Sequence, residues 1–164
     1  MKALLQRVSA AAVTVDGQES GRIGRGLVAL VGVAEGDSEA DIDYLVSKLL
    51  NLRIFDDAGG KFNMSVLDIT GELLIISQFT LLADTRRGRR PGFSGAATLQ
   101  EAARLFQLFV DRATDSGLHV ATGRFQAHMH LEIHNDGPVT IMLDSRERAG
   151  QNLAPAKGRN DASD

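Results

Sequence analysis

The chain has 164 residues, 43% of them hydrophobic, which suits one compact domain with a real core. A formal net charge of −3 means that the molecule as a whole does not attract nucleic acid, so any RNA contact must come from a local basic patch. The absence of cysteine excludes disulfides, thiolate metal ligands and a cysteine nucleophile.

In chain order, "ALLQRVSAAAVTV" is rich in β-branched and small residues and predicts a strand to about Val15, with Asp16-Gly17 as a turn. Gln6 and Arg7 interrupt any signal-like apolar stretch. No run approaches the roughly 20 apolar residues of a membrane helix. A cytoplasmic protein without a membrane partner is expected. "GLVALVGVAEGD" reads as a buried strand. The period then changes: Ile42, Leu45, Val46, Leu49 and Leu50 form one face of a helix, and Ser38 followed by Asp41 is a loose capping box at its start.

"RIF" predicts a short strand, "DDAGGK" a turn, and "ELLIISQFTLLA" one continuous, central strand. "DTRRGRRPGFSGAAT" is a long loop. Thr98 and Glu101 cap a second helix, whose apolar face is Leu105, Phe106, Phe109, Val110 and Ala113 and which Ser116-Gly117 closes. "LHVATG", "RFQAHMHLEIH" and "VTIMLDS" are the last strands. The predicted order is β-β-α-β-β-α-β-β-β. Its two helices are too few for a doubly wound sheet, so an α/β (mixed α+β) fold is expected, with mixed or antiparallel sheets in layers and both helices on one side. Residues 1–145 form the single domain in this reading. Residues 146–164, polar and without apolar period, form a disordered tail.

Four segments carry candidate chemistry. In "SQFTL", Ser77, Gln78 and Thr80 cluster on an apolar strand, and buried polar groups are costly unless paired. The plain alternative is a strand end with hydroxyls bonded to backbone. In "QAHMHLEIH", alternation puts Gln126, His128, His130, Glu132 and His134 on one face and Ala127, Met129, Leu131 and Ile133 on the other. His128, His130 and Glu132 are possible metal ligands, against a solvated or partner-facing polar surface. Arg86, Arg87, Arg89 and Arg90 form a cationic loop suited to phosphate, or simply a solvated one. "NDGPVT", with Gly137-Pro138, reads on its own as a hairpin turn, since only about 5–6% of X-Pro bonds in folded proteins are cis.

Taken together, "SQFTL" at 77–81, "TGRF" at 122–125 and "NDGPVT" at 135–140 resemble the D-aminoacyl-tRNA (D-tyrosyl-tRNA) deacylases, as does the layout of residues 1 to about 145. The resemblance implies a homodimeric hydrolase that uses no metal or other cofactor. It would cleave the ester between a D-amino acid, or mischarged glycine, and the terminal adenosine of tRNA. It implies a cis Gly137-Pro138 bond, with this dipeptide of one subunit entering the other subunit's pocket. Ser77, Gln78, Phe79 and Thr80 would line that pocket as catalytic positions. Met129 would lie beside the substrate, and Arg7 would brace the Gly-Pro loop. The tRNA's own 2′-OH would position the attacking water, with backbone N–H groups near Phe79 and Thr80 as oxyanion donors and Thr80 as the alternative nucleophile.

Where relatives read like "GRFGADMQVSLVNDGPVT", this chain has "GRFQAHMHLEIHNDGPVT". The expectation is that the pocket is kept and that the changed face is an outer or interface surface. Two other functions fit less of the sequence: a metal-dependent hydrolase or oxygenase on the His128/His130/Glu132 face, and a non-catalytic RNA-binding module using the arginine loop.

Overall fold

The computed structural model describes residues 1–148. Its strands are β1 (Lys2–Val15), β2 (Gln18–Ile23), β3 (Gly26–Gly32), β4 (Phe55–Asp56), β5 (Phe62–Met64), β6 (Glu72–Ser77), β7 (Val120–Thr122) and β8 (Met129–Asp144). The helices are α1 (Glu39–Asn51) and α2 (Leu99–Thr114). Among the described residues no helix is long and apolar enough to cross a membrane.

Six strands make one mixed sheet, ordered β2-β1-β3-β6-β7, with β8 paired to β1. β1 runs antiparallel to β2, β3 and β8, whereas β3–β6 and β6–β7 are parallel. Parallel neighbours need a crossover. The first passes through α1 and the small β4–β5 hairpin, the second through α2. The sheet curls until β2 approaches β7, where Ser20 Oγ donates to the Thr122 carbonyl at 3.4 Å.

Both helices pack on one face, as their periodicity predicts. The main core joins Ile42, Leu45 and Leu49 of α1 and Leu105, Phe109 and Ala113 of α2 to Leu5, Leu27, Ala29, Leu73 and Ile75 of the sheet. The Asp41 carboxylate accepts from the Ser38 N–H at 2.8 Å and its hydroxyl at 2.9 Å, which fixes the start of α1. At α2 only half of the expected box forms. Thr98 Oγ1 accepts from the Glu101 N–H, while the Glu101 carboxylate turns to Arg104 at 2.6 Å. Arg112 of α2 joins the helices through Asp43 at 2.8 Å and Glu39 at 3.2 Å. The opposite face of the sheet carries a second, smaller cluster of Val8, Ala11, Val13, Val28, Leu74 and Ile76. Leu30, Met129, Leu131 and Ile133 are only partly buried against it.

Three strand expectations need correction. "ELLIISQFTLLA" is not one strand: β6 stops at Ser77, and Phe79–Leu82 wind into a 3-10 turn. "RFQAHMHLEIH" does not begin as a strand at Arg124. Residues 123–128 are a turn with Gln126 at φ 63°, so Gln126 and His128 lie before the ladder. "RFQAHMHLEIH" and "VTIMLDS" are not separate strands with a hairpin between them. Both belong to β8, which carries an insertion where Gln6 pairs Thr140 and Val8 pairs Asn135. Residues 136–139 bulge out opposite Arg7. A bulge reverses which side chains face which side. Met129, Leu131 and Ile133 therefore pack on the small cluster, whereas Val139, Ile141 and Leu143 pack on the helix-side core. The Gly137–Pro138 peptide is cis.

The expected tail from residue 146 falls largely outside the described residues. Within them, Ser145–Glu147 form a 3-10 turn, and the buried Ser145 donates its N–H to the Met1 carbonyl at 2.9 Å.

Candidate functional site

The mixed sheet opens a cavity of about 460 Å³ between the end of β6, the start of α2 and the turn leading into β8. Ser77, Gln78 and Phe79 form one wall, Ala96, Ala97, Leu99 and Ala102 a second, and Phe125 to Met129 with Leu131 a third. The first wall exists because the Gln78 N–H continues the β3–β6 pairing, donating to the Val31 carbonyl at 2.7 Å, before the chain winds into its 3-10 turn. Gly32 permits that turn: a Cβ there would lie 3.0 Å from the Gln78 carbonyl oxygen and 3.3 Å from Leu81 Cβ. In the third wall Gly123 leaves room for Met129, whose sulfur occupies the space a Cβ at 123 would need.

Ser77, Gln78, Phe79 and Met129 are therefore brought together. Thr80 is exposed one step along the turn, outside the lining, where its hydroxyl accepts a hydrogen bond from the Gln78 amide. The Phe79 ring is 57% exposed and meets Phe93 edge-on at 4.9 Å. Phe93 belongs to the arginine loop, whose base is pinned by paired backbone bonds between Asp84 and Gly92 at 2.7 and 2.9 Å. Arg86 is spent on Asp84: two charge-assisted bonds of 2.9 and 2.7 Å hold that carboxyl well below the usual carboxylate range. Arg87, Arg89 and Arg90 are exposed and make no ion pair among the described residues.

Arg7, Gly137 and Pro138 form a second constellation. Arg7 is only 7% exposed. Its Nε donates to the Asp136 carbonyl and its Nη1 to the Ile54 carbonyl, both at 2.9 Å, and its guanidinium lies over the Phe62 ring. Asn135 ties the loop from inside. Its Oδ1 accepts from the Val139 N–H at 3.0 Å, and its Nδ2 donates to Thr140 Oγ1 at 2.8 Å. The dipeptide itself is exposed and lies outside the cavity lining. β1 pairs Val15 with Met129 and Val8 with Asn135. At roughly 3.3 Å per residue the loop lies about 20 Å along the strand from Met129.

The sequence reading missed Asn135, whose Asx-type bonding is what an Asn at the start of a turn favours. It also misplaced Gln126 and His128. Both line the cavity instead of continuing a uniform outer face. The His128/His130/Glu132 metal reading loses its third member, because the Glu132 carboxylate is engaged by His134 at 2.6 Å. That bond holds the Glu132 carboxyl below its ordinary value. Among the described residues no group of three or more His, Asp or Glu is gathered as a ligand set.

The family model for D-Tyr-tRNA(Tyr) deacylase matches residues 4–144. A D-aminoacyl-tRNA deacylase of Dehalococcoides mccartyi is 61% identical over 148 residues, covering 90% of this chain and 97% of that protein. One from Clostridioides difficile is 54% identical over 145 residues, covering 88% and 97%. Among solved structures, one described as c-Myc DNA Unwinding Element Binding Protein superposes with a TM-score of 0.83 at 39% identity, covering 88% of this chain and 98% of that one. A probable eukaryotic D-amino acid tRNA deacylase shares the fold, with a TM-score of 0.77 at 18% identity and coverage of 87% and 97%.

Proposed function

The chain belongs to the D-aminoacyl-tRNA deacylase family, and from that premise we propose that it hydrolyses D-aminoacyl-tRNA, and glycyl-tRNA charged in error, in a site completed by two copies of the chain. The observation that carries this reading is the separation just described. The cavity and the Gly-Pro loop are both exposed, and about 20 Å of β8 lies between them. A pocket that uses both needs the loop of a second copy. The face without helices supports such a contact, since Leu30, Leu131 and Ile133 are only partly covered there. A two-fold arrangement uses each loop and each cavity once.

The chemistry follows from what each part offers. A D and an L aminoacyl ester differ only in where the substituents of one carbon point, so discrimination needs a fixed wall, not an attractive side-chain pocket. The loop is fixed by Arg7 at Asp136 and by Asn135 at Val139. Its backbone carbonyls can accept from the substrate's α-amino group and ignore its side chain. Water, positioned by the 2′-OH of the terminal ribose, adds to the ester carbonyl. The N–H groups of Phe79 and Thr80, at the start of the 3-10 turn, are the donors for the oxyanion. Collapse expels the ribose 3′-oxygen, which takes a proton, leaving free D-amino acid and tRNA. Ser77, Gln78 and Met129 shape the cavity around the ester. Arg87, Arg89 and Arg90 are the loop cations free to meet tRNA phosphates. The compartment would be the cytoplasm, where charged tRNA is used.

Thr80→Ala tests the role of the substrate hydroxyl. The variant is expected to lose no more than about tenfold in kcat, the value of one hydrogen bond. A loss on the order of 10⁶-fold, as on deleting a covalent nucleophile, would make Thr80 the attacking group. Subunit complementation tests the shared site. Gly137→Asp spoils the loop, because φ is +134° there and a Cβ would lie 3.1 Å from Arg7 Nη2. Ala102→Trp fills the cavity. Co-refolded chains should recover activity that neither variant has alone, since the heterodimer keeps one intact loop facing one intact cavity. A mixture as inactive as its parts would contradict the shared site.

A further inference from the structure

We propose that His128, with Gln126 beside it, is a contact for the 3′-terminal phosphodiester of the acceptor strand at the mouth of the cavity. The inference rests on the deacylase reading and adds to it a recognition site on the turn into β8, separate from the arginine loop. Three observations carry it.

First, the cavity wall is almost wholly apolar or neutral, and His128 is the one ionisable side chain in it among the described residues. Gln126 reaches the same rim because its backbone is left-handed, in a turn closed by the Ala127 N–H donating to the Arg124 carbonyl at 3.2 Å. Second, the His128 ring meets His130 edge-on, with centroids 5.1 Å apart. His130 is exposed, whereas Met129 and Leu131 turn inward. Both imidazoles are exposed to solvent beside the rim. Third, the carboxylates of this surface are already paired: Glu132 with His134 at 2.6 Å, Glu19 with Arg22 at 2.6 Å and Asp16 with Arg124 at 3.7 Å. The two histidines are thus available to an anion. A substrate whose ester sits in the cavity carries its first phosphodiester one ribose away, at the rim. An imidazole N–H can donate to a phosphate oxygen in either tautomer.

The test compares D-tyrosyl-tRNA with 3′-O-D-tyrosyl-adenosine, which has the ester and nucleoside but no phosphate. Both are assayed with wild type, with the exposed-site variants His128→Ala and His128→Ala/His130→Ala, and with His119→Ala as a surface control. The expected result is a KM for D-tyrosyl-tRNA about tenfold higher in the His128 variants, the order of one hydrogen bond to a charged group. kcat should not follow, and the KM for the adenosine ester, which meets His128 only as cavity wall, should rise much less. An unchanged KM for both substrates, an equal rise for both, or a fall in kcat would overturn the phosphate contact. Failure of wild type to cleave either substrate would instead overturn the deacylase reading itself.

Discussion

Arg7→Ala is expected to destabilise the fold by about 3 kcal/mol or more and to abolish most deacylation of D-aminoacyl-tRNA. Its bonds to the carbonyls of Asp136, part-buried, and Ile54, buried, both at 2.9 Å, are each of the charge-assisted kind worth about 1.5–3 kcal/mol. No water-exposed substitute is at hand, since the side chain is only 8% exposed. In a chain of this size the loss should lower Tm by about 6–12 °C. The effect on activity should exceed the effect on stability. Asp136 immediately precedes the Gly-Pro dipeptide, and a shift of about 1 Å in a positioning element costs on the order of 100-fold. Arg7→Lys should fall between the two, because a point charge cannot serve carbonyls in two directions as the planar fork does. Thermal unfolding with parallel assays checks this. An Arg7→Ala protein with wild-type Tm and activity would remove Arg7 from the account.

Gly26→Ala should prevent stable folding, with a cost above about 4 kcal/mol. A Cβ at Gly26 would lie 2.6 Å from the Glu72 backbone N and 2.7 Å from its carbonyl carbon. These are main-chain atoms of the neighbouring parallel strand and cannot rotate away. Moving them displaces β6, whose far end presents Ser77 to the cavity. Gly24→Ala is the control two residues away. Its Cβ would meet only the Glu72 carboxylate, at an ordinary 3.7 Å, so little change is expected. Soluble yield and Tm of the two variants decide the matter. A Gly26→Ala protein as stable as the Gly24→Ala one would show that the strands can separate at no cost.

Much of the helix-side core was legible in the sequence, because Ile42, Leu45 and Leu49 keep a helical period and Ser38 and Asp41 mark its start. The strand ends were less so. Three of the four residues Phe79 to Leu82 are large and apolar, so the apolar run reads on past Ser77 and Gln78 and hides the change from strand to 3-10 turn. β2 went unseen because "QESGRI" is polar and its partner β1 decides its pairing. β5 has only three residues. The Gly-Pro dipeptide raised the opposite difficulty. It looked like the end of a strand, yet β1 runs past it unbroken and accommodates the extra residues as a bulge.

The site divided in the same way. Ser77, Gln78, Phe79 and Met129 could be named from motifs, and they share a cavity. That Gln126 and His128 join them was hidden. Alternation assigned both to an outer face, and only the left-handed turn at Gln126 carries them to the rim. The distance between cavity and loop was equally invisible, since it depends on the register of β8 along β1.

The central claim is that a fixed main-chain wall, supplied across two copies, selects by chirality. It is tested most directly by the release of tyrosine from D-tyrosyl-tRNA and L-tyrosyl-tRNA under identical conditions. The account predicts rapid release from the D ester and release from the L ester no faster than its spontaneous hydrolysis. Equal release from both, or release from neither, would contradict it.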